Sequence, residues 1–225
     1  MYLQETPCCD YGHPLVQRVL HTVTDGCADE REKAMRIFFF VRDGIRFALL
    51  GSGAEITASR TARMGYGDCG SKTNFQVALL RGAGIPARMR GILCSIAPLQ
   101  GMIPDLLYAM SARFYKEDFH FWPECYLDGR WIACEGLWDR PLYEAALRKG
   151  LITRAQMPTI DWDGETDLVL LGAWQTEDLG HKPAWDEWSI EFKKRMPMPR
   201  IVDKFMEWTL APLCRRKTDQ LRAGR

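Results

Sequence analysis

Ala34, Ile37, Phe38 and Val41 recur at helical spacing and predict a helix over 28–42 with one buried stripe, preceded by another over 14–24. Asp43-Gly44 ends it, and Ile45 to Leu49 reads as a short extended segment. A turn at Gly51-Ser52-Gly53 leads to a short polar helix around 55–63. Gly65-Tyr66-Gly67-Asp68-Cys69-Gly70-Ser71 is a loop of small residues running into a helix. Phe75, Ala78, Leu79 and Gly82 form its buried face, and Gly82, Gly84 and Pro86 end it. Ala87 to Cys94 reads as a strand, and 98–116 as a helical or irregular insertion. Phe119 to Leu127 and Arg130 to Gly136 form a hairpin about Asp128-Gly129, a pair suited to the positive φ angles of a type I′ turn. Residues 142–150 look helical and 159–188 acidic, tryptophan-rich and irregular. The tail from 200 is predicted helical, with Ile201, Phe205, Trp208 and Leu210 as its apolar residues. Helices and strands mix without β-α-β alternation, so the fold class is α+β. The expected division is a core over 1–150 and a C-terminal extension over 151–225 packed on it.

Composition narrows the function. Hydrophobic residues make up 47% and charged residues 26%, enough apolar material for a core that needs no metal or disulfide staple. A net charge of +1 points to no nucleic-acid partner. The most apolar run, Ile37 to Val41, falls far short of the roughly 20 residues of a membrane span, so no membrane partner is expected. The N-terminus shows neither a basic start nor an apolar h-region, which leaves a cytoplasmic location as the simplest expectation. Eight cysteines then read as thiols, mostly small buried hydrophobes. They lack zinc-ligand spacing, and His13, His21 and His181 do not converge in any recognisable pattern. No metal and no cofactor is expected.

Cys69 stands apart from the other cysteines. It lies where the small-residue loop becomes a helix, with Asp68 placed to cap it, and a helix N-terminus favours the thiolate. Gly67 and Gly70 leave room for a substrate, and the Cys69 N–H could help hold an oxyanion. The hairpin supplies possible partners. Pairing 127 with 130 sets 124 opposite 133 and 122 opposite 135. His120, Trp122 and Glu124 then share a face with Trp131, Ala133 and Glu135. Glu135 and Asp139 are both diagonal neighbours of His120, and geometry alone does not choose between them. The opposite face, with Phe121, Cys125, Ile132 and Cys134, reads as core. Pro123 suggests an edge strand or a bulge. Arg88 and Arg90 point to one side of their strand. Together with Trp122 they are candidates for holding substrate, a salt-bridged face being the plainer alternative for the arginines.

Gly65 to Cys69, Ala78 to Arg88, His120 to Leu127 and Gly129-Arg130-Trp131 together resemble the transglutaminase-like superfamily, a papain-like fold, over about residues 30–140. The resemblance implies a nucleophile at the N-terminus of a core helix packed on an antiparallel sheet that carries the histidine and the acid. It implies Cys69 as nucleophile and His120 as base. The family's acid follows the tryptophan strand in a run like Trp-x-x-x-Asp. Here that position is Glu135, which favours Glu135 over Asp139. The implied activity is attack on an amide or peptide acyl group of a small-molecule or peptide substrate through an acyl-enzyme. Acyl transfer or cyclisation at the same site is the alternative, and a non-catalytic binding module the second. The sequence assigns no oligomeric state.

Overall fold

The strongest local signal, the Asp128-Gly129 turn, takes the expected form: both residues have positive φ, 50° and 82°. The computed structural model describes residues 1–49, 56–114, 116–195 and 206–224. Its helices are α1 (Pro14–Thr24), α2 (Glu30–Gly44), α3 (Ala58–Met64), α4 (Cys69–Gly82), α5 (Asp105–Phe114), α6 (Arg140–Arg148), α7 (Trp185–Arg195) and α8 (Ala211–Arg222). A π-helical turn, Met206–Leu210, leads into α8. The predicted turn at 51–53, and Ile201 and Phe205 of the tail, lie outside the described residues.

The main sheet holds β3 (Ala87–Ser95), β4 (Glu117–Leu127), β5 (Arg130–Ala133) and β6 (Gln175–Lys182), all antiparallel, in the order β5-β4-β3-β6. β1 (Arg46–Phe47) and β2 (Tyr66–Gly67) make a separate parallel pair, so part of the expected loop before Cys69 is strand. β6 was not legible in the sequence. Its residues, QTEDLGHK, are mostly exposed and lack the period-two alternation that marks a half-buried strand. Edge pairing through the backbone to β3 forms it instead.

β4 is an interior strand, contrary to what Pro123 suggested. The Pro123 carbonyl accepts the Cys134 N–H at 3.0 Å, so its missing N–H faces the β5 side just where that ladder ends at Ala133. The reciprocal bond that proline cannot donate is replaced by Gln76, which donates to the Cys134 carbonyl at 2.7 Å, and register and faces hold through the proline.

α4 crosses the inner face of the sheet and is buried along almost its whole length, polar residues included. Each buried polar side chain on it ties the helix to a neighbour. Thr73 donates to the Phe121 carbonyl at 3.1 Å and Gln76 to the Cys134 carbonyl at 2.7 Å. Asn74 donates to the Cys8 carbonyl at 2.8 Å, and Lys72 to the Arg42 carbonyl at 3.0 Å. The first two bonds fix α4 against β4 and against the segment after β5.

The C-terminal third belongs to the same core. Trp162, Trp185 and Trp188 are buried in it with Phe38, Phe75 and Phe121. The Trp185 and Phe121 rings meet edge to face at 5.2 Å. A Cβ at Gly70 would stand 2.9 Å from the Trp185 ring, and one at Gly67 would stand 2.7 Å from Lys72 Cγ. These two glycines therefore make room for core packing rather than for a substrate. Trp208, one of the apolar residues of the predicted helical tail, is 74% exposed.

Candidate active site

Asp68 caps α4 in both directions. Its carboxylate accepts the Ser71 N–H at 2.9 Å, while Ser71 Oγ accepts the Asp68 N–H at 2.8 Å. This reciprocal box fixes the first turn, so Cys69 opens the helix with its N–H at the positive end of the helix dipole. The Cys69 thiol donates to the Phe119 carbonyl at 3.8 Å, bringing the start of α4 against β4.

His120 lies two residues further along the strand from Asp118 and one beyond Phe119. It is 2% exposed, and its Nε2 lies 2.9 Å from Glu135 Oε1, itself on a residue 1% exposed. The second Glu135 oxygen accepts the Leu170 N–H at 2.6 Å, and the Glu135 N–H donates to the Leu168 carbonyl at 3.1 Å. Both carboxylate oxygens are thus occupied, and the side chain has one orientation. With Nε2 engaged by a carboxylate, Nδ1 is the ring nitrogen left for proton exchange. The Trp122 ring lies alongside, its centroid 6.1 Å from that of the imidazole.

Cys69 and His120 line one narrow cleft with about 50 Å3 of free volume. Its walls are mainly apolar, with Phe47 and Leu49 after α2, Ile96 and Leu99 after β3, and Leu137 and Leu171. Asp118, Cys94 and Ser95 supply its other polar atoms. Asp118 escaped the sequence reading although its signal was available, since two residues before His120 on a strand is the same face.

The expectation of a thiol lowered by the helix terminus is not met. Burial pushes the Cys69 thiol well above its ordinary range, and the negative charges of Asp68 and Asp118 add to that. The Phe121 backbone N–H works in the opposite direction without reversing it.

The remaining candidates are engaged elsewhere. Asp139 caps α6, accepts the Phe47 N–H at 3.0 Å and pairs with Arg222 at 2.6 Å. Burial works against its charge, but the Arg222 guanidinium holds it below the usual carboxylate range. Arg88 pairs with Glu124 at 2.6 Å and lies over the Trp131 ring at 4.1 Å. Arg90 reaches Glu124 and Asp178. Both arginines share the His120 face, in the salt-bridged arrangement weighed as their plainer alternative.

The family described as the transglutaminase-like superfamily has a model that matches residues 17–136. No curated protein matches the chain. Among solved structures, a Cytophaga hutchinsonii protein assigned provisionally as a cysteine protease aligns at 18% identity with a TM-score of 0.47. The alignment covers 63% of this chain and 43% of that one, so this chain spans less than half its length.

Proposed function

The chain belongs to the transglutaminase-like superfamily, and from that premise we propose that it is a cysteine-nucleophile hydrolase of amide or peptide bonds. The observation that carries this reading is the buried 2.9 Å pair of His120 and Glu135 on the wall of the cleft that Cys69 also lines. A histidine with one nitrogen fixed by a doubly held carboxylate has the other positioned for a single proton partner.

In this mechanism His120 Nδ1 takes the Cys69 proton as the sulfur attacks the substrate carbonyl carbon. Glu135 stabilises the imidazolium that forms. Burial of the sulfur works against the thiolate, and the general-base step offsets that cost by moving the proton to His120 as the sulfur attacks. The carbonyl oxygen becomes an oxyanion at the first turn of α4, where the Cys69 N–H at the positive end of the helix is the candidate donor. Breaking the C–N bond expels the amine, which takes the proton from His120, and leaves an acyl-Cys69 thioester. Water then adds to the thioester carbonyl with His120 as base, and loss of the sulfur, reprotonated by the imidazolium, releases the acid. Should an amine replace water in that second half, the same residues carry out acyl transfer. Product analysis in excess amine decides between the two outcomes.

The founding test is alkylation of Cys69 by iodoacetamide, followed by peptide mass spectrometry from pH 6 to 9 in wild type and His120→Ala. Cys69 is expected to react ahead of the other seven cysteines, through a limb near neutral pH that disappears without His120. Equal protection of Cys69 in both proteins would remove the enzyme reading.

A further inference from the structure

The cleft contains a second carboxyl group that this mechanism does not use. Asp118 stands opposite Cys94 in the β3–β4 pairing and two residues before His120, so it shares the His120 face one pleat away. One of its oxygens accepts the N–H of Phe119 at 2.8 Å, and it makes no ion pair among the described residues. The surrounding charges deepen the asymmetry. The negative charge of Asp68 at the start of α4 acts on it, Cys69 and Cys94 line the same cleft, and His120 is committed to Glu135. Among the described residues, neither lysine nor arginine lines the cleft.

Burial raises Asp118 to about 6, and Asp68 adds to the rise against the Phe119 N–H and His120. A carboxylate held among apolar walls without a cation is a cost that a suitable ligand can relieve. Arg88 and Arg90, the nearest basic pair on this face, are taken by Glu124 and Asp178.

We infer that Asp118 is a specificity-determining residue that receives a cationic ammonium group of the substrate, beside the carbonyl that Cys69 attacks. Asp118 lines the same cleft as Cys69 and stands one strand repeat, roughly 7 Å at the backbone, from His120. The substrates selected are therefore amides or peptides bearing a free amine beside the scissile bond, with an apolar remainder. Acidic substrates are disfavoured by the same charge. This inference rests on the reading of Cys69 as the accessible nucleophile.

Three thiol reagents that differ in charge separate the two ideas. Methyl methanethiosulfonate is neutral, the aminoethyl reagent carries an ammonium two carbons from the sulfur, and the sulfonatoethyl reagent is anionic. Rate constants at Cys69 are read by peptide mass spectrometry at pH 7.5. Wild type is expected to favour the cationic over the anionic reagent by about tenfold or more. In Asp118→Asn that ratio should collapse while the neutral reagent keeps its rate within about threefold, and Asp118→Glu should retain the preference. A neutral reagent that modifies Cys69 alongside equal rates for the two charged ones overturns the Asp118 inference and leaves the nucleophile standing. Failure of the neutral reagent at Cys69 overturns both. The wild-type ratio requires no variant to fold.

Discussion

At the scale of single residues, the candidate site is a set of commitments that leave each group one thing to do. Glu135 gives one oxygen to His120 and the other to the Leu170 N–H, so its role does not depend on chance rotamer choice. Glu135→Gln tests this. A glutamine oxygen can still accept the Leu170 N–H, but its amide then faces His120 Nε2 as a donor. The imidazole would be forced into the tautomer that carries its proton on Nδ1, where it cannot act as a base toward Cys69. Alkylation of Cys69 at pH 7 should slow by about tenfold or more, with the thermal midpoint little changed. An unaltered rate would mean that Glu135 serves packing alone. The histidine and glutamate were legible because a two-residue turn fixes hairpin parity. The final contact, 2.9 Å, was not, because it needs the Leu168–Leu170 segment to hold the carboxylate after β5 has ended.

At the scale of elements, the cleft is shaped by pieces distant in sequence. Arg222 on α8 forks onto Asp139 at 2.8 and 2.6 Å and donates to the Phe47 carbonyl at 2.7 Å. Asp139 in turn accepts the Phe47 N–H, so the C-terminal helix pins the strand whose Phe47 walls the cleft. Arg222→Met leaves Asp139 buried without its cation and should cost roughly 3–5 kcal/mol in urea unfolding. The pH signature has a definite sign. The Asp139 carboxyl is held below the usual carboxylate range in the folded chain. Its contribution is present above its unfolded pKa and is lost as pH falls through the lower folded value. In Arg222→Met burial acts without the opposing guanidinium and the carboxyl rises toward or above its unfolded value, so that acid-side loss should shrink or reverse. Identical acid limbs in the two proteins would show that the pair does not set it.

Across the whole molecule, thiols shielded from water, in full or for Cys8 and Cys69 in part, govern the alkaline side. Burial pushes Cys8, Cys9 and Cys94 up to about 12 and Cys214 to about 11, and raises Cys69 and Cys134 further in the same direction. Above roughly pH 8.5 the unfolded chain releases thiol protons that the folded chain retains, so stability falls as pH rises. Lys72, lowered to about 7 chiefly by burial, works in the opposite sense between that value and its unfolded pKa. It is one group against six. The urea midpoint should therefore decline above about pH 8.5, and a midpoint flat to pH 10 would contradict raised thiol pKa values in the folded chain. Among the described residues, no helix is long and apolar enough to cross a membrane.

By itself the sequence determined whatever depends on short-range stereochemistry. The Asp128-Gly129 turn imposed the hairpin register, the Asp68 cap placed Cys69 at the head of α4, and period-two parity put His120 and Glu135 on one face. Tertiary structure decided what depends on groups brought together from far along the chain. It assigned Asp139 to Arg222 and the two arginines of β3 to Glu124 and Asp178, and it filled the notch at Gly70 with Trp185. It also reversed the expected direction for the Cys69 thiol. A helix terminus is a local feature that can be read from a cap residue, whereas desolvation and the fields of Asp68 and Asp118 exist only once α4 and β4 enclose the sulfur.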